Sequence, residues 1–430
     1  MNWTVEKVIH NLLCVFVAVF PFLVYPWGAD YYYANGKAYY FMGAMFLLCL
    51  VGWLGSKTST SIKRKITSTE WFLLFFIILV AVSTVQSVKL SLVGHLTEHQ
   101  GLFMMISYGA LFVIASRWVA HEQQGKIVHF VVVSSFFVAL YGILQHAHLG
   151  FLPQDRMLTF GTRSYSLFDN PDYFGSYLVL VLILTMTVFL RARDKKWGTV
   201  YFLILCTLFL ALLQSQTRSG WLGAGMGFVI LTLFVVWKRK DLWKKWGIML
   251  LAFILIFTVT DAISKQNYAG RAATIAHDAQ KIVSNENSDS AGASRWYIWK
   301  ASMPLIEEHF WIGTGPNTFQ TVFNPVTIKD YKKYLGNSKI YDENNDYIQI
   351  ALTMGVPALV IYLIFLFTIV RTGFRKAKIM ESEQQILTYG LLAAIIGYLV
   401  QAFFNISVVS VAPYFWILLG FVSSRFFKKV

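Results

Sequence analysis

The sequence predicts an all-α polytopic membrane protein of about twelve transmembrane helices, with one large extracytoplasmic loop between spans nine and ten. Three observations carry that expectation. The 430 residues are 56% hydrophobic and 14% charged, where a soluble domain holds roughly 25% charged residues. The apolar residues come in long blocks that suit lipid-spanning helices, rather than the short alternating segments of a barrel. The net charge of +15 is concentrated in short loops between the blocks, which is the positive-inside pattern and not a nucleic-acid footprint.

The blocks run over 8–27, 39–54, 71–85, 102–119, 127–144, 173–190, 200–213, 221–237, 248–259, 347–370, 386–404 and 408–422. With the N-terminus in the cytoplasm, the basic loops fall inside: Lys57, Lys63, Arg64 and Lys65; Arg191, Arg193, Lys195 and Lys196; Lys238, Arg239, Lys240, Lys244 and Lys245; Arg371, Arg375, Lys376 and Lys378; and the tail Arg425, Lys428 and Lys429. Only scattered cations, Lys37, Lys89, Arg156, Arg163 and Arg218, fall outside. Both termini are therefore expected in the cytoplasm, as in a multi-pass inner- or plasma-membrane protein. Cys14, Cys49 and Cys206 lie in apolar segments and read as small core residues. No cleavable signal peptide is expected. Three regions follow: helices one to nine over 1–260, the extracytoplasmic loop over 261–346, and helices ten to twelve over 347–430. Within the loop, 295–308 reads as an amphipathic helix with Trp296, Trp299 and Ile306 among its apolar positions, followed by a turn at Gly313 and Gly315-Pro316.

The outward side collects the polar chemistry. Arg218 lies in the tight connection Gln214–Gly220, which holds it at the membrane surface or the bundle mouth. There it either meets an anion, for which its planar fork is suited, or snorkels to lipid headgroups. Arg295 opens the loop helix, as a solvated surface residue or as an anion ligand. Asn170-Pro171-Asp172 starts the sixth span, where capping explains much of the pattern. Asp342-Glu343-Asn344-Asn345-Asp346 precedes the tenth, and its three carboxylates exceed what capping requires, so they are general-base candidates. His95-Leu96-Thr97-Glu98-His99 has inverted zinc-protease spacing but sits in a short loop with no third ligand, so no metal is expected. No glycine-rich phosphate loop or cytoplasmic nucleotide domain is present in the pattern, so an activated donor must arrive on lipid.

These stretches resemble the O-antigen ligase and Wzy-type polymerase superfamily of bacterial membrane glycosyltransferases. The likeness rests on His99-Gln100-Gly101-Leu102-Phe103 with Tyr108, Asn170-Pro171-Asp172-Tyr173-Phe174, and Thr217-Arg218-Ser219-Gly220-Trp221-Leu222-Gly223. It continues through Arg295-Trp296-Tyr297-Ile298-Trp299, Ile312-Gly313-Thr314-Gly315-Pro316, Asn345-Asp346-Tyr347-Ile348-Gln349-Ile350 and Gly355-Val356-Pro357. The resemblance implies a GT-C-like helical fold that transfers a glycan from an undecaprenyl-diphosphate carrier to an acceptor hydroxyl, in cell-surface polysaccharide biosynthesis, without cofactor or metal. Its implied partners are the lipid-linked glycan donor, a glycan or lipid acceptor and membrane lipids, with no nucleic acid. It also implies that Arg218 and Arg295 grip the donor diphosphate, and it adds Asn170, Asn344 and Asn345 as substrate-binding positions.

One position departs from the family pattern. Aligning Asn345 with the family's Asn puts Asn344 where many members carry His, so Glu343 and Asp346 become the expected catalytic carboxylates, with Asp342 a third option. Polymerase and ligase remain unseparated by any sequence feature. A polytopic transporter or flippase of lipid-linked glycans is the rival class, and a non-catalytic component of wall assembly is a third reading.

Overall fold

The computed structural model describes residues 4–24, 32–56, 65–95, 98–156, 160–264, 266–285, 288–324, 326, 328–337 and 340–424. The basic residues Lys57, Lys63, Arg64, Arg425, Lys428 and Lys429, and Leu96 and Thr97 of the histidine motif, lie outside them. All regular structure among the described residues is helical. In chain order the helices are α1 (Val5–Val19), α2 (Tyr32–Ser56), α3 (Ser68–Thr84), α4 (Val88–Ser91), α5 (Leu102–Trp118), α6 (His121–His146), α7 (Pro171–Arg191), α8 (Lys195–Ser215) and α9 (Arg218–Lys238). There follow α10 (Trp243–Ile263), α11 (Tyr268–Ser284), α12 (Arg295–Glu308), α13 (Phe319–Val322), α14 (Tyr331–Leu335), α15 (Asp346–Met354), α16 (Val356–Ala377), α17 (Ser382–Ala402) and α18 (Ala412–Ser423).

Among the described residues ten helical segments are long and apolar enough to cross a membrane, and the shorter apolar α5 and α18 take the fourth and twelfth blocks. The polytopic helical architecture is thus as the sequence predicts. Local chemistry sets the starts of several spans. Thr67 and Glu70 form a reciprocal capping box at α3. Asn170 caps α7 ahead of Pro171, and Asp194 caps α8.

Helix α7 is the central pillar, with 94% of its apolar window buried, and it packs against α8, α9 and α17. Small residues permit that closeness. A Cβ on Gly223 would stand 2.6 Å from the Gly397 carbonyl oxygen, and one on Gly397 would stand 2.7 Å from that of Gly223. Such small-residue crossings are how helices pack where lipid removes the hydrophobic drive.

Three sequence expectations change. The tenth block, expected as one span over 347–370, is broken at Gly355, whose φ of +92° is open to glycine but strained for other residues. The freed carbonyls find donors elsewhere: Leu352 O accepts from Thr314 N at 3.1 Å, and Thr353 O from Gly315 N at 2.8 Å and Ser83 Oγ at 2.7 Å. Broken helices are stable at membrane depth only when the backbone is satisfied in this way. Lys37, expected in an outside loop, is instead fully buried within α2. Its ammonium donates to Leu167 O at 2.6 Å and Leu23 O at 3.2 Å, which replaces the lost water. Of the cysteines only Cys14 is buried; Cys206 is half-buried and Cys49 is exposed on α2, because the apolar block there presents one side outward.

The segment between α10 and α15 is a folded cap. A helix forms over the expected 295–308 as α12, burying Tyr297, Ile298, Trp299 and Ser302, while Trp296 and Ile306 of the expected apolar positions are half-buried. A separate small core joins Tyr297 and Ile298 to Phe319, Phe323 and Tyr331, and it reaches Leu352 of α15. The cap is therefore seated on the broken helix, which positions its polar residues over the ends of α7, α9 and α15.

Candidate functional site

The site begins at the first turn of α7. Asn170 Oδ1 accepts the Asp172 N–H at 2.8 Å, so Asn170 aims this turn. One Asp172 oxygen accepts from Arg163 Nη2 at 2.5 Å, and the other from Arg295 Nη2 at 3.0 Å. Arg295 also donates through Nη1 to Phe404 O at 2.7 Å. The carboxylate thus bridges a cation of the α6–α7 loop to a cation of the cap helix. The sequence offers Asp172 only a helix-capping role and Arg163 none. Their signal was the charge pairing itself, which spacing along the chain does not disclose.

Arg218 is the first residue of α9. Its Nη1 donates to Asp278 Oδ2 at 2.5 Å and to Thr274 Oγ1 at 3.1 Å, both on α11. Arg271, also on α11, donates Nε to Gln216 O at 2.8 Å. Burial, then the nearby Arg163 and Arg218, pulls Arg271 below the usual arginine value, so positive charge is concentrated here. Arg218 and Arg295 line one cavity of about 310 Å³. Its remaining wall is largely apolar and aromatic, including Leu222, Trp296, Trp299 and Phe403. Two guanidinium groups beside such a wall suit an anionic headgroup on a lipid stem.

The predicted carboxylates lie behind that cavity and do not line it. Trp299 Nε1 donates to Glu343 O at 2.8 Å and so couples the cavity wall to the carboxylate segment. The Glu343 side chain is fully buried, and neither of its oxygens has a hydrogen-bond partner among the described residues. Burial raises its carboxyl well above the ordinary value, reinforced by Asp342, Glu98 and Asp346. Asp346 is held differently: its Oδ1 accepts from Ser407 N at 3.1 Å. It faces a separate small cavity of about 30 Å³ with Gln100, Asn317 and Gln349, large enough for about one water. Asn345 is a helix cap whose Oδ1 accepts from the N–H groups of Tyr347 and Ile348, each at 3.0 Å. Asn344 takes the left-handed backbone at φ +51° and donates its N–H to Asp342 Oδ1 at 2.9 Å.

The histidine motif is engaged in different directions. Asn317 Nδ2 donates to Glu98, His95 N donates to Asn317 Oδ1 at 2.6 Å, and the His99 ring meets Asn35 Oδ1 at 2.7 Å. Glu98 thereby enters the carboxylate group around Glu343, a role its metal-like spacing concealed. Among the described residues no group of three or more His, Cys, Asp or Glu is placed to hold a metal ion.

Residues 203–363 match the family model described as O-antigen ligase. The matched stretch contains Arg218, Arg295 and the Asp342–Asp346 segment, so it covers the arginine cavity and the carboxylates together. The match supports the resemblance drawn from the motifs. No curated protein matches the chain.

Proposed function

We propose that this chain, a multi-pass membrane protein of the O-antigen ligase type, transfers a glycan from an undecaprenyl-diphosphate carrier to an acceptor hydroxyl on the extracytoplasmic side of a bacterial plasma membrane. The observation that carries this reading is the cavity shared by Arg218 and Arg295, with its aromatic wall. The acceptor oxygen attacks the anomeric carbon, the bond to the diphosphate breaks, and the negative charge gathers on the departing phosphate oxygens. Fixed guanidinium groups there stabilise the leaving group as its charge develops. Asp172 holds Arg295 in place from below, and Asn170 holds Asp172.

The acceptor's proton goes to a carboxylate of the Asp342–Asp346 segment. Glu343 is the candidate we favour over Asp346, because its oxygens are unpartnered while Asp346 is tied to the Ser407 amide. Glu343 is covered in this state and its carboxyl holds its proton, so acceptor entry must part its neighbours and let the carboxyl ionise before it can take the acceptor's proton. Catalytic contacts commonly tighten only in the substrate complex.

The test is the size and anchorage of surface polysaccharide in a deletion strain carrying either the wild-type chain or Arg295→Ala. Single repeats in place of long chains, rescued by wild type alone, identify a polymerase. Long chains left on the lipid carrier identify a ligase. Full rescue by Arg295→Ala contradicts the proposal.

A further inference from the structure

Helix α11 carries a charged residue where its pattern calls for an apolar one. Ile275, Asp278, Ala279 and Ile282 all line the arginine cavity, and their spacing of three, four and seven places them on one face of the helix. Three of the four form an apolar stripe suited to a hydrocarbon stem. The fourth is a carboxylate aimed at Arg218, and both partners are partly shielded, at 26% and 20% side-chain exposure.

The anchors of α11 are unequal along its length. Its N-terminal end is fixed by the fully buried Tyr268, by Ala269 N donating to Asp261 Oδ1 at 3.0 Å, and by Arg271 donating to Gln216 O. Further along, the polar ties from the helix to α9 are those of Thr274 and Asp278 to Arg218. A carboxylate oxygen 2.5 Å from a guanidinium occupies the position a phosphate oxygen would take.

We propose that Asp278 is a carboxylate stand-in for the donor's phosphate, and that Tyr268–Ser284 is a lid over the lipid-carrier cavity. An incoming prenyl diphosphate takes over the Arg218 guanidinium, Asp278 gives way, and the C-terminal half of the lid is released to reseat its apolar stripe along the lipid stem. The donor's headgroup therefore competes with the protein's own carboxylate, which favours a doubly phosphorylated carrier over weaker anions. This inference rests on the donor site proposed above.

The test is titration of the full chain in lipid nanodiscs with farnesyl diphosphate, using wild type, Asp278→Asn, Asp278→Ser and Arg218→Ala. Removing the competing carboxylate should tighten binding about five-fold in both Asp278 variants, ~1 kcal/mol for a partly shielded ion pair. In wild type, hydrogen exchange over 275–284 should rise when the ligand binds. If neither Asp278 variant binds tighter while Arg218→Ala binds weaker, the lid is refuted and the donor site stands. If Arg218→Ala binds as wild type does, the donor site and the lid both fall.

Discussion

Replacing Glu343 should separate stability from activity. Its side chain is fully buried with both oxygens unpartnered, and a buried polar group left unpaired costs about 1–3 kcal/mol. Methionine has similar volume and no such requirement, so Glu343→Met should stabilise the protein by up to about that amount. The same change removes the proposed base, and general-base catalysis contributes roughly 10²–10⁴-fold. Glycan transfer should fall by that factor, and Glu343→Gln should lose it as well. The pH dependence has a definite sign. The folded carboxyl holds its proton to higher pH than the unfolded one, whose value is about 4.3, so the folded state binds more protons above that point. Wild-type stability should therefore decline as pH rises from the ordinary glutamate range towards the raised value, and Glu343→Met should remove Glu343's share of that decline, leaving the shares of Asp342 and Asp346, which burial also raises. Denaturation by SDS in mixed micelles at several pH values, beside a transfer assay, measures both. A methionine variant that is less stable and fully active would refute the reasoning.

Other positions give sharper structural outcomes. Gly355→Ala would place a Cβ 2.7 Å from Trp311 O at a φ of +92°, costing about 1–3 kcal/mol of backbone strain alone; a thermal midpoint equal to wild type would contradict the broken helix. Asn345→Ala removes the acceptor for two N–H groups of α15 and should cost about 1–2 kcal/mol, read as a lower midpoint. Asp172→Ala leaves Arg163 and Arg295 facing each other with no anion between them. An ion pair broken on one side costs up to about 3–5 kcal/mol when buried, and this one is partly shielded, so Asp172→Ala and Asp172→Asn, both of which remove the charge, should each have a lower thermal midpoint than wild type.

Much of the scaffold was legible because lipid imposes long apolar blocks, and the cap helix 295–308 was legible from its amphipathic spacing. The break at Gly355 was less so. Its residues were noticed as a motif, but an apolar run looks continuous until the partners of its carbonyls, Thr314, Gly315 and Ser83, are known. Lys37 was misplaced for a similar reason, since carbonyls from Leu23 and Leu167 made its burial tolerable. In the site, Arg218 and Arg295 stood out through their positions at helix starts. Arg163, Arg271, Asp172 and Asp278 did not: Asp172 and Asp278 meet Arg295 and Arg218 from far along the chain, Arg163 pairs with Asp172 across the α6–α7 loop, and Arg271 holds the Gln216 carbonyl. Asn170 and Asn345 were read as substrate-binding positions, and the hydrogen bonds they make are those of helix caps.

The most direct test of the central claim is a transfer assay with purified protein in liposomes, supplied with an undecaprenyl-diphosphate-linked glycan and its acceptor. Wild type should lengthen or transfer the glycan and release undecaprenyl diphosphate in equal amount. Arg218→Ala and Arg295→Ala should each fall about 10²–10³-fold, the weight of one lost transition-state donor, while remaining folded in the membrane. Wild-type rates in both arginine variants would contradict the account.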